Sequence, residues 1–435
     1  MATTSSSSSS NASSTLHLAN CNAITMQQGV VEITPACHLL IRGKRILYVG
    51  SSAPPPPSQV GERHMLLDLG GAYVIPGLCD AHVHVTAVSA NLHDMLLLPP
   101  SLVTARATKV LEAMLMRGFT TVRDAGGCDW GLAKAVEEGS IRGPRILFSG
   151  AALSQTGGHG DMRQRGEDRM PSCCPISLGR VCDGVDQVRQ AAREELRKGA
   201  YQIKIMASGG VSSPTDKLTN LQFSAEEIKA VVEEAEHAGT YVCAHAYTAN
   251  AVKRVLELGV RSIEHGNYLD EECVDLLKKT DSFLVPTLVT YDRIKCDGEL
   301  SGMPSDQIAK VSDLLSKGME ALALADKKGV NICFGSDLLG PMHKHQLDEF
   351  ALRGQVQTPE AVLWSATSMC ARLFRMEGEV GVLAEGAYAD ILVVRNNPLT
   401  HLTSLCDPSN IIMIVKEGII VKSLEMSALQ TTSWE

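Results

Sequence analysis

The chain has 435 residues, 44% hydrophobic and 20% charged, which excludes global disorder and leaves room for a sizeable core. Forty basic against 49 acidic side chains give a net charge of −9 with no basic block, which argues against a nucleic-acid platform. No apolar run approaches the roughly 18 residues that a membrane span needs, and 13 cysteines scattered from Cys21 to Cys406 without a C-x-x-C pair read as thiols of a reducing compartment.

Residues 1–15 are Ser/Thr-rich and are expected to form a disordered tail, because serine runs bury nothing. The tail has neither a basic nor an apolar leader region, so it does not read as a secretory signal and the expected location is cytoplasmic. The sequon Asn11-Ala12-Ser13 therefore carries no weight. Short β-like runs follow at 30–33, 39–41 and 45–49, separated by turn residues including Gly43-Lys44 and the prolines at 54–57. The C-terminal stretch has the same character, with strands expected at 390–395 and 411–415 and a turn at Lys416-Glu417-Gly418. Each segment is too small to fold alone. Residues 16–73 and 376–425 are expected to build one small β-sandwich domain together.

The middle, residues 74–375, repeats a different pattern. Helical segments end at Gly118, Gly199, Gly239, Gly259 and Gly329, and a short apolar strand follows each, at 120–124, 202–207, 241–246, 261–265 and 331–336. Glycine suits the left-handed position that closes a helix, and Ser224-Ala225-Glu226-Glu227 is a capping box that opens one. Adding runs at 74–85, 145–149 and 283–288 makes eight strands. The expected fold class is therefore α/β, a (β/α)8 TIM-type barrel carrying the β-sandwich domain.

Such barrels work at the C-terminal ends of their strands. Those ends carry His82 and His84, then Lys204, His245, His265 and, just beyond the last strand, Asp337. His82 and His84 are two apart, so an extended strand aims both at one face. Imidazoles suit zinc and related metals, and carboxylates complete such sites. One H-x-H is a weak signal; four histidines and an aspartate at successive strand ends are a strong one. His17, His38, His64, His93, His237 and His401 fall elsewhere and receive no role, while His343 and His345 are expected in an exposed loop. Lys204 shares a face with Gln202 and Met206, with Ile203 and Ile205 turned toward the helices. It has two readings. It forms a salt bridge to a barrel carboxylate, or it takes up carbon dioxide as a carbamate able to bridge two metals, an addition that burial beside cations favours.

At this point the sequence resembles a family. Pro76-Gly77-Leu78-Cys79-Asp80-Ala81-His82-Val83-His84 resembles the opening motif of the amidohydrolase superfamily, and Gly335-Ser336-Asp337 its closing motif. The run from Glu385 to Val394 resembles the strand by which these enzymes return to their β-sandwich. Thr156-Gly157-Gly158-His159-Gly160-Asp161 and the run from Ile203 to Gly210 resemble a narrower branch. That branch holds Xaa-Pro dipeptidases, lysine/arginine carboxypeptidases and ochratoxin-hydrolysing amidases, the last being the most similar.

The resemblance implies two divalent metal ions, usually zinc. His82, His84 and Asp337 would hold the more buried ion, His245 and His265 the second, with carbamylated Lys204 bridging. Two such ions lower the pKa of a shared water, and Asp337 can take its proton and pass it to the leaving nitrogen. Tyr247, two residues past His245, would polarise the scissile carbonyl; packing at the rim is its alternative reading. His159, in a glycine-flanked loop without Walker spacing, would contact the substrate. His159 and the N–H groups of Gly209 and Gly210 are the candidates for meeting a substrate carboxylate. The implied activity is carboxypeptidase-like: hydrolysis of an amide bond to a C-terminal amino acid, first in ochratoxin A and N-acyl aromatic amino acids. Xaa-Pro or Xaa-Lys/Arg dipeptides come next. A cyclic-amide hydrolase or deaminase is a further alternative, against which Lys204 counts, and a scaffold without catalysis comes last. The implied partners are a small-molecule or dipeptide-like amide and further copies of the chain, up to an octamer, with no nucleic acid and no membrane.

Overall fold

The computed structural model describes residues 15–27, 29–54, 64–168 and 176–424. The expected tail lies outside these residues except for Thr15, which already begins a strand, and prolines 55–57 also lie outside. The chain divides into two units: Met1–Gly77, Gly378–Asn396 and Asn410–Glu435 form one, Leu78–Glu377 and Asn397–Ser409 the other.

The first unit is a mixed eight-stranded sheet. Strand Thr15–Gln27 sends Leu16 and Leu18 and, past an irregularity at Asn20, Cys21 and Ala23 into an apolar cluster, while Ile24 and Met26 are buried outside that cluster. It pairs with Val30–Arg42, a single strand that merges the expected runs at 30–33 and 39–41. The two ends of the chain meet where Tyr73–Pro76 pairs antiparallel with Ile391–Val394, followed in the sheet by Ile411–Lys416 and Ile419–Ser423. The expected strand at 74–85 is thus two strands. Its first part belongs to this mixed sheet, and the chain passes into the second unit after Gly77, whose N–H donates to Asp390 O at 2.8 Å.

The second unit contains two parallel sheets. Leu78–Val83, Phe119–Asp124 and Arg145–Phe148 make the smaller. The larger runs in the order Gly179–Val181, Ala152–Ser154, Ile203–Met206, Val242–Thr248, Ser262–Tyr268, Phe283–Val285, Asn331–Ile332. Helices such as Pro100–Met116, Ala225–His237 and Leu314–Lys327 lie between successive strands. All five glycines expected to close helices have left-handed backbones, with φ from +69° to +95°. Ser224 and Glu227 form the expected capping box. Backbone hydrogen bonds also join the smaller sheet to residues beside strands of the larger one: Tyr201 N–H, just before Ile203–Met206, donates to Phe148 O at 2.8 Å, and Ala81 N–H donates to Phe334 O, just past Asn331–Ile332, at 2.8 Å.

Ile203 and Ile205 pack among helix residues such as Val188, Ala191 and Val231, while Gln202 turns the other way and donates to Asp124 O and Leu147 O. Residues Asn397–Ser409, inside the stretch 376–425 expected in the small β domain, cluster with the parallel unit, where Cys406 Sγ donates to Leu347 O at 3.2 Å. The described cysteines are free thiols. Among the described residues no helix is long and apolar enough to cross a membrane.

Candidate active site

The parallel strands deliver His82, His84, Lys204, His245, His265 and Asp337 to the wall of one cavity. His82 is the penultimate residue of strand Leu78–Val83 and His84 lies just past its end. His245 and His265 sit inside strands Val242–Thr248 and Ser262–Tyr268. Asp337 reaches in from a loop whose backbone N–H donates to His82 O at 2.8 Å. Its Oδ1 lies 3.3 Å from His84 Nε2 and 3.5 Å from His82 Nε2, and its Oδ2 lies 4.0 Å from His265 Nδ1. Donor atoms of His82, His265 and Asp337 fall within 4.8 Å of one another, a spacing that one metal ion could span. His84 and His245 border this group, with ring centroids 5.2 Å from His82 and 4.6 Å from His265.

Three residues of the site are backbone-strained. His265 (φ +77°), Thr287 (φ +50°) and Asp337 (φ +50°) hold left-handed conformations that side-chain-bearing residues avoid, at a cost of order 1–3 kcal/mol each. Thr287 accepts or donates at His265 Nδ1 (2.8 Å), so two strained residues fix each other.

His159 stacks on His245 with centroids 4.2 Å apart. Its backbone N–H donates to Gln222 Oε1 and its Nδ1 meets Ser213 Oγ at 2.8 Å, so Nε2 is the atom left for the cavity. Ser213 Oγ donates in turn to Asp216 Oδ1. Lys310 ties the loop down through Gly210 O and Ser213 O. The expected donor role of Gly209 and Gly210 is corrected: Gly209 N–H donates to Asn220 O and Gly210 N–H to Asp216 Oδ2. What these glycines supply is clearance, since a Cβ on Gly210 would fall 2.2 Å from the His159 ring. Tyr247 lies edge-on to His245 at 4.8 Å and stacks on His265 at 5.1 Å. Tyr291, unmarked in the sequence, lines the same cavity and donates to Tyr247 Oη at 3.3 Å.

A model of the Amidohydrolase family matches residues 73–421. The chain belongs to the amidohydrolase family. Ochratoxinase of Aspergillus niger is 32% identical over 400 residues, covering 88% of this chain and 82% of that protein. The crystal structure of a prolidase complexed with N-methylphosphonate-L-proline is 45% identical, covers 94% of this chain and 100% of its own, and superposes with a TM-score of 0.90. A Xaa-Pro dipeptidase with bound methionine in its active site is 28% identical with a TM-score of 0.82, over 94% and 100% of the two chains.

Burial sets the protonation of three of the four strand-end imidazoles of this amidohydrolase site. Burial pushes His82 and His245 well below the ordinary histidine value, helped by the Lys204 charge at His82 and by His159 and His265 at His245. Burial lowers His265 to about 3 and His159 to about 4. His84 is buried as well, but its hydrogen bond to Asp337 prevails and raises it. Burial alone would raise the Asp337 carboxyl; His82, His84 and His265 hold it well below the usual carboxylate range. Lys204 is 1% exposed, and among the described residues no carboxylate lies within ion-pair distance of it, so the salt-bridge reading has no partner. Imidazole nitrogens, a carboxylate and a buried amine without a counter-ion form a donor set that suits divalent metal ions.

His343 departs from its expected exposed loop. It is buried in the turn Gly340–His345, its Nε2 3.1 Å from Ala87 O, and burial lowers it to about 4. His345 pairs with Asp348 and Asp297. The largest omission from the sequence reading is the buried pair Arg123 and Glu264, both 0% exposed, with Glu264 on His82 Nδ1. A charge inside each of two expected barrel strands, Arg123 in 120–124 and Glu264 in 261–265, was the available signal.

Proposed function

We propose that this amidohydrolase cleaves the amide bond joining an acyl group to a C-terminal amino acid, with Xaa-Pro dipeptides as the leading substrates. The observation that carries this reading is the convergence of four histidines, Lys204, Asp337, His159 and Tyr247 on one cavity, in a chain 45% identical to a prolidase. The scaffold is read as a closed (β/α)8 barrel, supported by the backbone hydrogen bonds that join the smaller parallel sheet to residues beside strands of the larger one. The mixed sheet of the first unit is read as the β-sandwich domain.

His82, His84 and Asp337 would hold one divalent ion, His245 and His265 the other, and Lys204 as a carbamate would touch both. Carbamylation joins the neutral Lys204 Nζ to the carbon of carbon dioxide and releases one proton; counted from the ammonium, two protons leave, and a cation that would repel metals becomes an anion that holds them. Bound there, two such ions, zinc by preference, would polarise a carbonyl and lower the pKa of a shared water. Asp337, kept ionised by the imidazoles around it, is placed to accept the proton and return it to the departing nitrogen. Tyr247, which lines the cavity and accepts from Tyr291, would donate to the oxygen on which charge develops. His159 Nε2 is the remaining polar contact for the substrate. Leu92, Met162, Val211 and Ile294 give the cavity an apolar wall that suits the pyrrolidine ring or an aliphatic acyl side chain.

A second reading, cleavage of ochratoxin A and N-acyl aromatic amino acids, is favoured by the 32% identity to ochratoxinase and by the same apolar wall. One substrate panel tests both: Xaa-Pro, Xaa-Arg, N-acyl-Phe and ochratoxin A, each acid beside its C-terminal amide. Fastest turnover of Xaa-Pro acids is the expected result. Equal rates on acids and amides would defeat the carboxypeptidase-like reading, and turnover confined to cyclic amides would replace it.

A further inference from the structure

Each of the four cavity histidines has one ring nitrogen tethered, and the tethers are unequal. His84 Nδ1 meets the Gly126 carbonyl at 2.8 Å, His245 Nε2 the Gly209 carbonyl at 3.1 Å, and His265 Nδ1 the Thr287 hydroxyl at 2.8 Å. Asp337 aside, His82 alone has its tether on a carboxylate, with Nδ1 2.7 Å from Glu264 Oε2. An ionised carboxylate can only accept, so His82 Nδ1 carries the proton and Nε2 keeps its lone pair, 3.5 Å from Asp337 Oδ1.

Glu264 is itself clamped. Its second oxygen accepts from Arg123 Nη2 at 2.7 Å and from the Ser262 hydroxyl at 2.7 Å. Arg123 is fixed in turn by Nε to Ala81 O at 2.6 Å and Nη1 to Ser262 Oγ at 2.9 Å. Both side chains are 0% exposed, and neither lines the cavity. The bonds cross from strand Phe119–Asp124 through Ser262–Tyr268 to Leu78–Val83. A buried ion pair is weak support for stability, since an apolar pair of equal volume often serves as well. The geometry here does something an apolar pair could not: it fixes the tautomer and rotation of one imidazole.

We propose that Glu264, clamped by Arg123, is a positioning residue that presents His82 Nε2 to metal and makes the His82/His84 position hold its ion more tightly than the His245/His265 position. The inference rests on the metal-centre reading above. A carboxylate accepting from Nδ1–H pulls that proton and enriches Nε2, so the nitrogen becomes a stronger donor; carbonyl and hydroxyl partners do this less.

The test is a chelator-competition titration of the holoenzyme, with elemental analysis of the ions retained, on the wild type and Glu264→Gln. The wild type is expected to release two ions in two steps. Glu264→Gln, matched to the wild type in circular dichroism and thermal transition, is expected to lose about 10- to 100-fold in affinity at the tighter step and nothing at the weaker one. If Glu264→Gln does not fold, Arg123→Lys, which keeps the charge and loses the fork, should shift the same step in the same direction. Single-step release in the wild type, an unchanged tighter step in the variant, or equal weakening of both steps would each overturn the proposal while leaving the metal centre standing. A wild type that holds no ions would overturn both.

Discussion

Replacing Gly210 by alanine probes whether the position of His159 matters to catalysis. The new Cβ would lie 2.2 Å from His159 Cε1, 2.3 Å from Nδ1 and 2.6 Å from Nε2, all far inside contact distance. Restoring an ordinary contact of about 3.4 Å requires the ring to retreat by about 1.2 Å (3.4 minus 2.2). The ring cannot retreat freely, because Ser213 Oγ holds Nδ1 at 2.8 Å and His245 lies stacked 4.2 Å away. The backbone at Gly210 is not left-handed, so the substitution adds steric pressure without conformational strain. Overpacking of this kind costs roughly 1–3 kcal/mol, which a domain of this size tolerates. A displacement of about 1 Å at a substrate contact can cost about 10²-fold in rate. The expected outcome for Gly210→Ala is a folded protein with unchanged metal content and kcat/KM on Xaa-Pro lowered by about 10²-fold. Steady-state kinetics, elemental analysis and circular dichroism measure the three quantities. Wild-type kcat/KM, or an activity loss tracked one-for-one by lost metal, would refute a substrate role for His159.

Removing divalent ions with a chelator should abolish turnover and re-addition restore it; full activity in metal-free protein would refute the metal-centre reading. Lys204→Ala should lose activity and regain a part of it with acetate, whereas full activity of the alanine variant would exclude a bridging lysine. Tyr247→Phe should lower kcat by about 10²-fold with little change in KM if its hydroxyl serves developing charge, and by little if the ring only packs. Burial raises the Glu349 carboxyl from 4.5 to about 8, against the opposing Arg353 charge and the Val289 N–H bond at 2.7 Å. With the folded pKa above the unfolded one, this group's contribution to stability is complete below about pH 4.5 and lost as pH rises through about 8, a swing of at most about 5 kcal/mol. Glu349→Gln should flatten that part of the stability–pH curve, and an unchanged slope in chemical denaturation would show that another group sets it.

Much of the site was legible along the chain, because the signals that mark it are local. A glycine after a helical stretch needs only its own φ, and all five predicted helix closers are left-handed. His82 and His84 are two apart, and strand-end position alone brought His245, His265 and Asp337 into the same group. Other features depend on partners far apart in sequence. Residues 74–85 read as one apolar strand, and what divides them is the pairing of Tyr73–Pro76 with Ile391–Val394, more than 300 positions away. Gly209 and Gly210 looked like free donors until Asn220 and Asp216 folded back onto their N–H groups. Arg123 and Glu264 are 141 residues apart, so nothing along the chain paired one with the other. Sequence by itself determined the alternation of strand and helix and which side chains stand at strand ends, since both follow from backbone periodicity and residue size. Tertiary structure alone decided which buried charges neutralise each other, which backbone donors are already used and which nitrogen of each histidine is left for a ligand, because hydrogen bonds act over about 3 Å of space and take no account of distance along the chain.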